Sequence, residues 1–182
     1  MASSGPNSGG TFADDNSVGA VAWATVSNAA SSNNTYATCN LSAGAAGHYL
    51  KCTNFGFAIP GGSTIDGILV TVECVCDIPV IRDAAVYLVK GGTVVGSNKK
   101  NAATWDDSVD TNLDHGGAAD LWGTTLTDSD VNASNFGVVI QVENFGFKFS
   151  ATGSIDHVKI TVYYTAGGGG GSVSKFGLLG VG

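Results

Sequence analysis

NFGFAIPGGSTIDGILVTV, residues 54–72, returns ninety residues later and without a gap as NFGFKFSATGSIDHVKITV, residues 144–162. Eight of the nineteen positions are identical, among them all of Asn-Phe-Gly-Phe and the Ile-Asp pair. In both copies an alternating run enters the motif, small and turn-forming residues follow, and a second alternating run leaves it. In GILVTVECVC, Ile68, Val70, Val72, Cys74 and Cys76 fall on one face and Leu69, Thr71, Glu73 and Val75 on the other, the period of a half-buried strand. HVKITVYY repeats the pattern with Val158, Ile160, Val162 and Tyr164. Each copy is thus a strand–turn–strand unit, and the expectation is that its aromatic rings fill the space between two sheets.

Working outward, the remaining segments keep the same short period. SVGAVAWATV (17–26), TYATCNL (35–41), HYLKCTN (48–54), DLWGTTL (120–126) and GVVIQVEN (137–144) read as strands. AAVYLVKGGTVVGS reads as a hairpin, because Gly91-Gly92 supplies the positive φ of a tight turn. Ile59-Pro60-Gly61-Gly62 carries the type II signature, with Pro at the second position and Gly at the third. TDSDVNASNFG predicts one helical turn capped by Thr127 or Asp128 and ended near Gly137. Residues 101–120 lose the pattern and read as an acidic loop. The fold class expected is therefore all-β: one β-sandwich or jelly roll of about eight strands. It is divided into an N-terminal arm (1–17), the sandwich (18–165), and a Gly-rich linker with an apolar anchor (166–182).

Composition narrows the function classes. Only 13% of the 182 residues are charged, about half the usual share, and the formal net charge is −7. The Lys99-Lys100 pair is the largest basic cluster, so no surface is set up to displace counterions from nucleic acid. No apolar run reaches the roughly 20 residues of a membrane span. Met1–Pro6 lacks the charged and apolar regions of a signal peptide, which predicts a product used without general secretory export.

Candidate chemistry is sparse. His48, His115 and His157 stand beside no nucleophile-elbow serine, and Asp156-His157 reads as a surface pair because its counterpart is Asp66-Gly67. The acidic loop 106–120 lacks EF-hand spacing, so no metal or other cofactor is assigned. Cys39, Cys52, Cys74 and Cys76 read as buried thiols, with a disulfide from Cys39 to Cys74 or Cys76 as the alternative. Trp105 and Trp122 border the acidic loop and are the candidate glycan platform or interface. Phe176, Leu178, Leu179 and Val181, after the five-glycine linker 167–171, are the candidate partner-binding residues.

Several stretches together resemble a family of small β-sandwich proteins of tailed-bacteriophage virions: SSGPNSGGTFADDNSVGAVAW (3–23), NTYATC (34–39), YLKCTNFGFAIPGGSTIDGI (49–68), IRDAAVYLVKGGTVVGSNK (81–99), DLWGTTLTDSDVNASNFGV (120–138) and SIDHVKITVYYT (154–165). The ECVC cysteines depart from that pattern. The resemblance implies a non-enzymatic structural role in the virion, as capsid cement or decoration on the head or as a tail, neck or fibre component. It brings no catalytic residues. The partners it implies are the major capsid protein or other virion proteins and further copies of the chain, a trimer being the natural expectation at local three-fold sites. A glycan- or receptor-binding module is the alternative from another class.

Overall fold

The computed structural model describes residues 1–167, and the candidate anchor residues Phe176, Leu178, Leu179 and Val181 lie outside them. The chain is a β-sandwich of two five-stranded sheets, both antiparallel. Ten strands run β1 (Ala2–Ser8), β2 (Thr11–Asp15), β3 (Ala37–Leu41), β4 (Tyr49–Thr53), β5 (Thr64–Cys76), β6 (Ile81–Lys90), β7 (Thr93–Val95), β8 (Thr111–Gly116), β9 (Gly137–Asn144) and β10 (Ala151–Thr165). One sheet has the order β1-β10-β5-β8, with β3 also pairing on β10, and the other β2-β4-β9-β6-β7. The one short α-helix among the described residues, α1 (Asp128–Asn132), starts at Thr127, whose side chain accepts from the Asp130 amide while the Asp130 carboxylate accepts from Thr127 N–H. That reciprocal box is the cap the sequence predicts.

The repeat is a structural two-fold. Leu50 pairs with Ile140 across β4 and β9, and Val70 pairs with Ile160 across β5 and β10. Each of these residues faces its own equivalent ninety positions away, so a local two-fold axis passes through both sheets. Flanking pairs obey it too: Ile68 pairs with Val162 and Val72 with Val158, and the symmetry exchanges the two pairs. All eight side chains are buried in the core between the sheets. Each copy crosses from one sheet to the other through its NFGF loop, and because the paired strands are antiparallel the two loops lie at opposite ends of the sandwich.

Several expectations are corrected. Residues 1–17 are not a free arm: β1 pairs with Lys159–Tyr164 of β10, and β2 pairs with β4. Their polar sequence suits sheet edges, where one side of the strand faces water, and Pro6 falls at the register irregularity between Ser4 and Asn7, where a missing N–H is tolerated. SVGAVAWATV contributes only isolated bridges, at Val21 to Gly47 and Ala24 to Thr38. Its backbone turns through positive φ at Gly19, where a Cβ would sit 1.9 Å from the Gly47 carbonyl oxygen. In DLWGTTL the extended backbone is broken at Trp122 and Gly123, both at positive φ, with Asp120 accepting from Trp122 N–H. Conversely, the acidic loop contains β8, an edge strand on β5 that reads as loop because it offers no alternating apolar face. The turn after Ile59 is one residue later than expected: Ser63 N–H donates to Pro60 O, and Gly62 takes the positive φ.

Candidate functional site

The two NFGF loops have the same sequence and opposite surroundings. In the first, Phe55 and Phe57 are buried at 4% and 6% exposure. Their rings stack with centroids 6.3 Å apart, and Phe136 meets Phe57 edge-on at 6.3 Å. A cover of chain segments holds them down. Asn7 Nδ2 donates to Phe55 O at 2.9 Å. Asn132, at the end of α1, brackets Ile59, accepting from its N–H at 2.7 Å and donating to its carbonyl at 2.9 Å. Asp128 accepts from Gly62 N–H at 2.7 Å.

The second loop has a firm base and, among the described residues, no cover. Asn144 is buried, and its Nδ2 donates to Leu41 O at 3.0 Å and Phe149 O at 2.8 Å while its Oδ1 accepts from Gly146 N–H at 2.9 Å. Phe145 N–H donates to Val80 O, and the Arg82 guanidinium lies 4.6 Å from the Phe145 ring centroid, steered there by its 2.7 Å ion pair with Glu143. On that base Phe147 is 96% exposed and Phe149 66% exposed. The inward orientation expected of the rings therefore holds for the first copy and fails for the second. Phe145, Phe147, Phe149 and Val80, with the Lys148 stem, line an open groove of about 370 Å³. Phe147 and Phe149 alone present roughly 300 Å² of aromatic surface, as much as the largest apolar patch of many monomers. The position preceding β9 is filled by α1, whereas its equivalent preceding β4 is β3 and a tight turn; that difference in local structure breaks the symmetry.

Trp105 and Trp122 do not form a surface platform. Both are core residues, with Trp105 Nε1 donating to Asp83 Oδ1 at 3.0 Å and Trp122 Nε1 to Ile68 O at 2.9 Å. A tryptophan beside an acidic loop reads as exposed, but an indole N–H satisfied internally permits full burial. Asp83 itself is buried, and burial raises its pKa, opposed by nearby His115. His115 spends Nδ1–H on Lys99 O at 2.9 Å and sets Nε2 3.8 Å from Asp83, joining β6 to β8 between the sheets. Sequence reasoning missed this pair, since only pairing across the sandwich brings positions 83 and 115 together.

The other polar groupings also hold the fold. Ser8 Oγ lies 2.8 Å from His157 Nε2, the spacing of a nucleophile and its base. The third partner of such a triad is missing: His157 Nδ1 has no hydrogen-bond partner among the described residues, and burial lowers its pKa. Asp156, at the register irregularity between Ile155 and His157, accepts instead from the amides of Asn33, Asn34 and Thr35. With Glu73 and Asp110 it forms a set of carboxylates whose ligand atoms lie within 4.8 Å of one another, the donor type that suits a hard cation. Each already anchors the 31–36 loop, Glu73 through Ser32 and Asp110 through the Tyr36 hydroxyl. Burial, then the Asp110 bond, pushes that phenol up to about 12.

All four cysteines are free and buried, so neither Cys39 disulfide forms. Burial pushes Cys39 up to about 12 and Cys76 up to about 11. Among the described residues no helix is long and apolar enough to cross a membrane. Comparison with protein-family models and with curated proteins finds no match to either.

Proposed function

We propose that the protein is a non-enzymatic structural subunit of a tailed-bacteriophage virion, acting as a cement or decoration protein that binds the head shell. The observation that carries a structural role is the second NFGF loop. A rigid sandwich spends its first copy of the motif inside a covered core and presents the second, on a hydrogen-bonded base, as bare aromatic surface. Exposed rings of that size on a fixed support are the anchors of a protein–protein contact. Burying Phe147 and Phe149 removes roughly 300 Å² of apolar area from water, a gross gain of about 7 kcal/mol before association costs.

The virion setting rests on the sequence resemblance over residues 3–165. The N-terminal segment, woven into both sheets, is no clamp, so attachment falls to the loop and to residues 166–182. A tail, neck or fibre position would use the same surface and is the second reading. The glycan-binding alternative loses its platform with the burial of Trp105 and Trp122.

The test is incorporation. Gradient-purified particles of the phage that encodes the chain should contain it, and an antibody label should decorate heads. A label confined to tails would replace the cement role with the second reading, and absence from particles would overturn both. Phe147→Asp, which leaves the core intact, should lower occupancy at least tenfold.

A further inference from the structure

We propose that the second NFGF loop of one copy receives the C-terminal segment 172–182 of a neighbouring copy, linking subunits head to tail. The inference rests on the structural-subunit reading and names the partner of its contact surface.

The first loop shows what completes such a surface. There the rings are covered by two other segments of the same chain, one around the end of α1 that brings Phe136 edge-on to Phe57 and Asn132 to Ile59, and one in the N-terminal strands that brings Phe12 beside Phe55. At the second loop the equivalent cover is absent from the described residues, although the base is built as firmly. The sequence holds one further segment of matching character: SVSKFGLLGVG, with Phe176, Leu178, Leu179 and Val181, following five consecutive glycines.

Distance decides whose segment it is. The described chain leaves the sandwich beside the Pro60–Ser63 turn, since a Cβ on Gly167 would lie 2.2 Å from Gly62 O. That is the end of β10 where Thr165 pairs with Thr64, whereas the second loop precedes Ala151 at the end where Gly153 pairs with Cys76. Twelve residues of strand separate Gly153 from Thr165, about 40 Å at roughly 3.3 Å per residue. Nine residues from Gly167 to Phe176 span at most about 32 Å fully extended, and a glycine-rich chain of that length averages about 15–18 Å. Phe176 cannot return to its own loop, and the leucines reach it only along a taut straight line through the protein. A neighbour's groove has no such constraint. The contact joins two different patches, so it propagates and closes into a ring or grows into a chain; a ring of three matches the trimer that the resemblance to virion proteins implies.

Two full-length variants test this: Phe147→Asp, which spoils the groove, and a double variant, Phe176→Asp with Leu179→Asp, which spoils the segment. Sedimentation velocity and light scattering across a concentration series read the assembly state, and circular dichroism checks folding. Wild type should self-associate, each variant alone should be monomeric with its dissociation constant raised at least about tenfold, and an equimolar mixture should give a dimer that grows no further. Such a dimer arises because one intact groove and one intact segment remain in the pair. Association lost in Phe147→Asp but kept in the segment variant would mean that loops meet each other, and would overturn the proposal. Wild type that stays monomeric would overturn it too; if that protein still enters particles, the structural-subunit reading stands and the loop's partner is another virion protein.

Discussion

Phe57 and Phe147 occupy the same position of the repeat, and truncating each to alanine should have very different consequences. Phe57 is 6% exposed and packed against Phe55 and Phe136. Removing its ring exposes or empties roughly 150–200 Å² of apolar contact, worth about 4–5 kcal/mol at 25 cal/mol per Å², in line with the 3–5 kcal/mol typical of buried Phe→Ala. Phe147, at 96% exposure, loses almost nothing on folding and should change stability by less than about 0.5 kcal/mol. Urea unfolding of dilute protein, fitted by linear extrapolation with a common slope, measures both. At this chain length the Phe57→Ala loss corresponds to a melting temperature lower by about 8–20 °C. Equal losses in the two variants would refute the broken symmetry, because they would mean that both rings are buried.

Other consequences are as direct. All four thiols should resist Ellman's reagent at pH 8 in native protein and react only with denaturant present; a fast-reacting thiol in the folded state would contradict their burial. With Trp23, Trp105 and Trp122 all buried, emission should be blue-shifted and unmoved by titration with sugars, and a sugar-dependent change would revive the glycan reading. Asp130→Ala should cost about 1 kcal/mol by removing the capping box and the Lys90 ion pair. Partial burial raises the Asp130 pKa, but the hydrogen bonds from Lys90 and Thr127 outweigh it and hold the carboxyl below the ordinary aspartate range. A depressed carboxylate stabilises the fold above its unfolded pKa, so the difference between variant and wild type should be full at neutral pH, begin to shrink below about pH 4 and vanish once pH has passed the lowered folded pKa. A difference that grew on acidification would have the wrong sign.

The sandwich was legible because its central strands carry period-two alternation and its repeat keeps register. Val70 and Ile160 fall on matching faces of GILVTV and HVKITV, and those faces are the core. The edges were not legible. Residues 2–8, 11–15 and 111–116 pair through backbone groups with few apolar side chains, so nothing in their composition separates a strand from a loop. SVGAVAWATV and DLWGTTL alternate well but are bent by positive φ at Gly19, Trp122 and Gly123, where tertiary contacts override pattern. The candidate site was half visible: the sequence showed two identical aromatic loops but not that α1 covers only one. The capping pattern of TDSDVN (127–132), absent from the matching ATCNLS (37–42), is the available signal. The tryptophans misled because proximity to acidic residues says little about burial once the indole N–H has an internal acceptor.

The most direct test of the account is an averaged image of the purified particle at side-chain resolution. It should show the sandwich on the head surface, with the 145–149 loop against another protein chain and Phe147 enclosed. A particle without the protein, or one in which Phe147 and Phe149 face solvent while other surfaces make the contacts, would contradict the claim that this loop is where the subunit is joined.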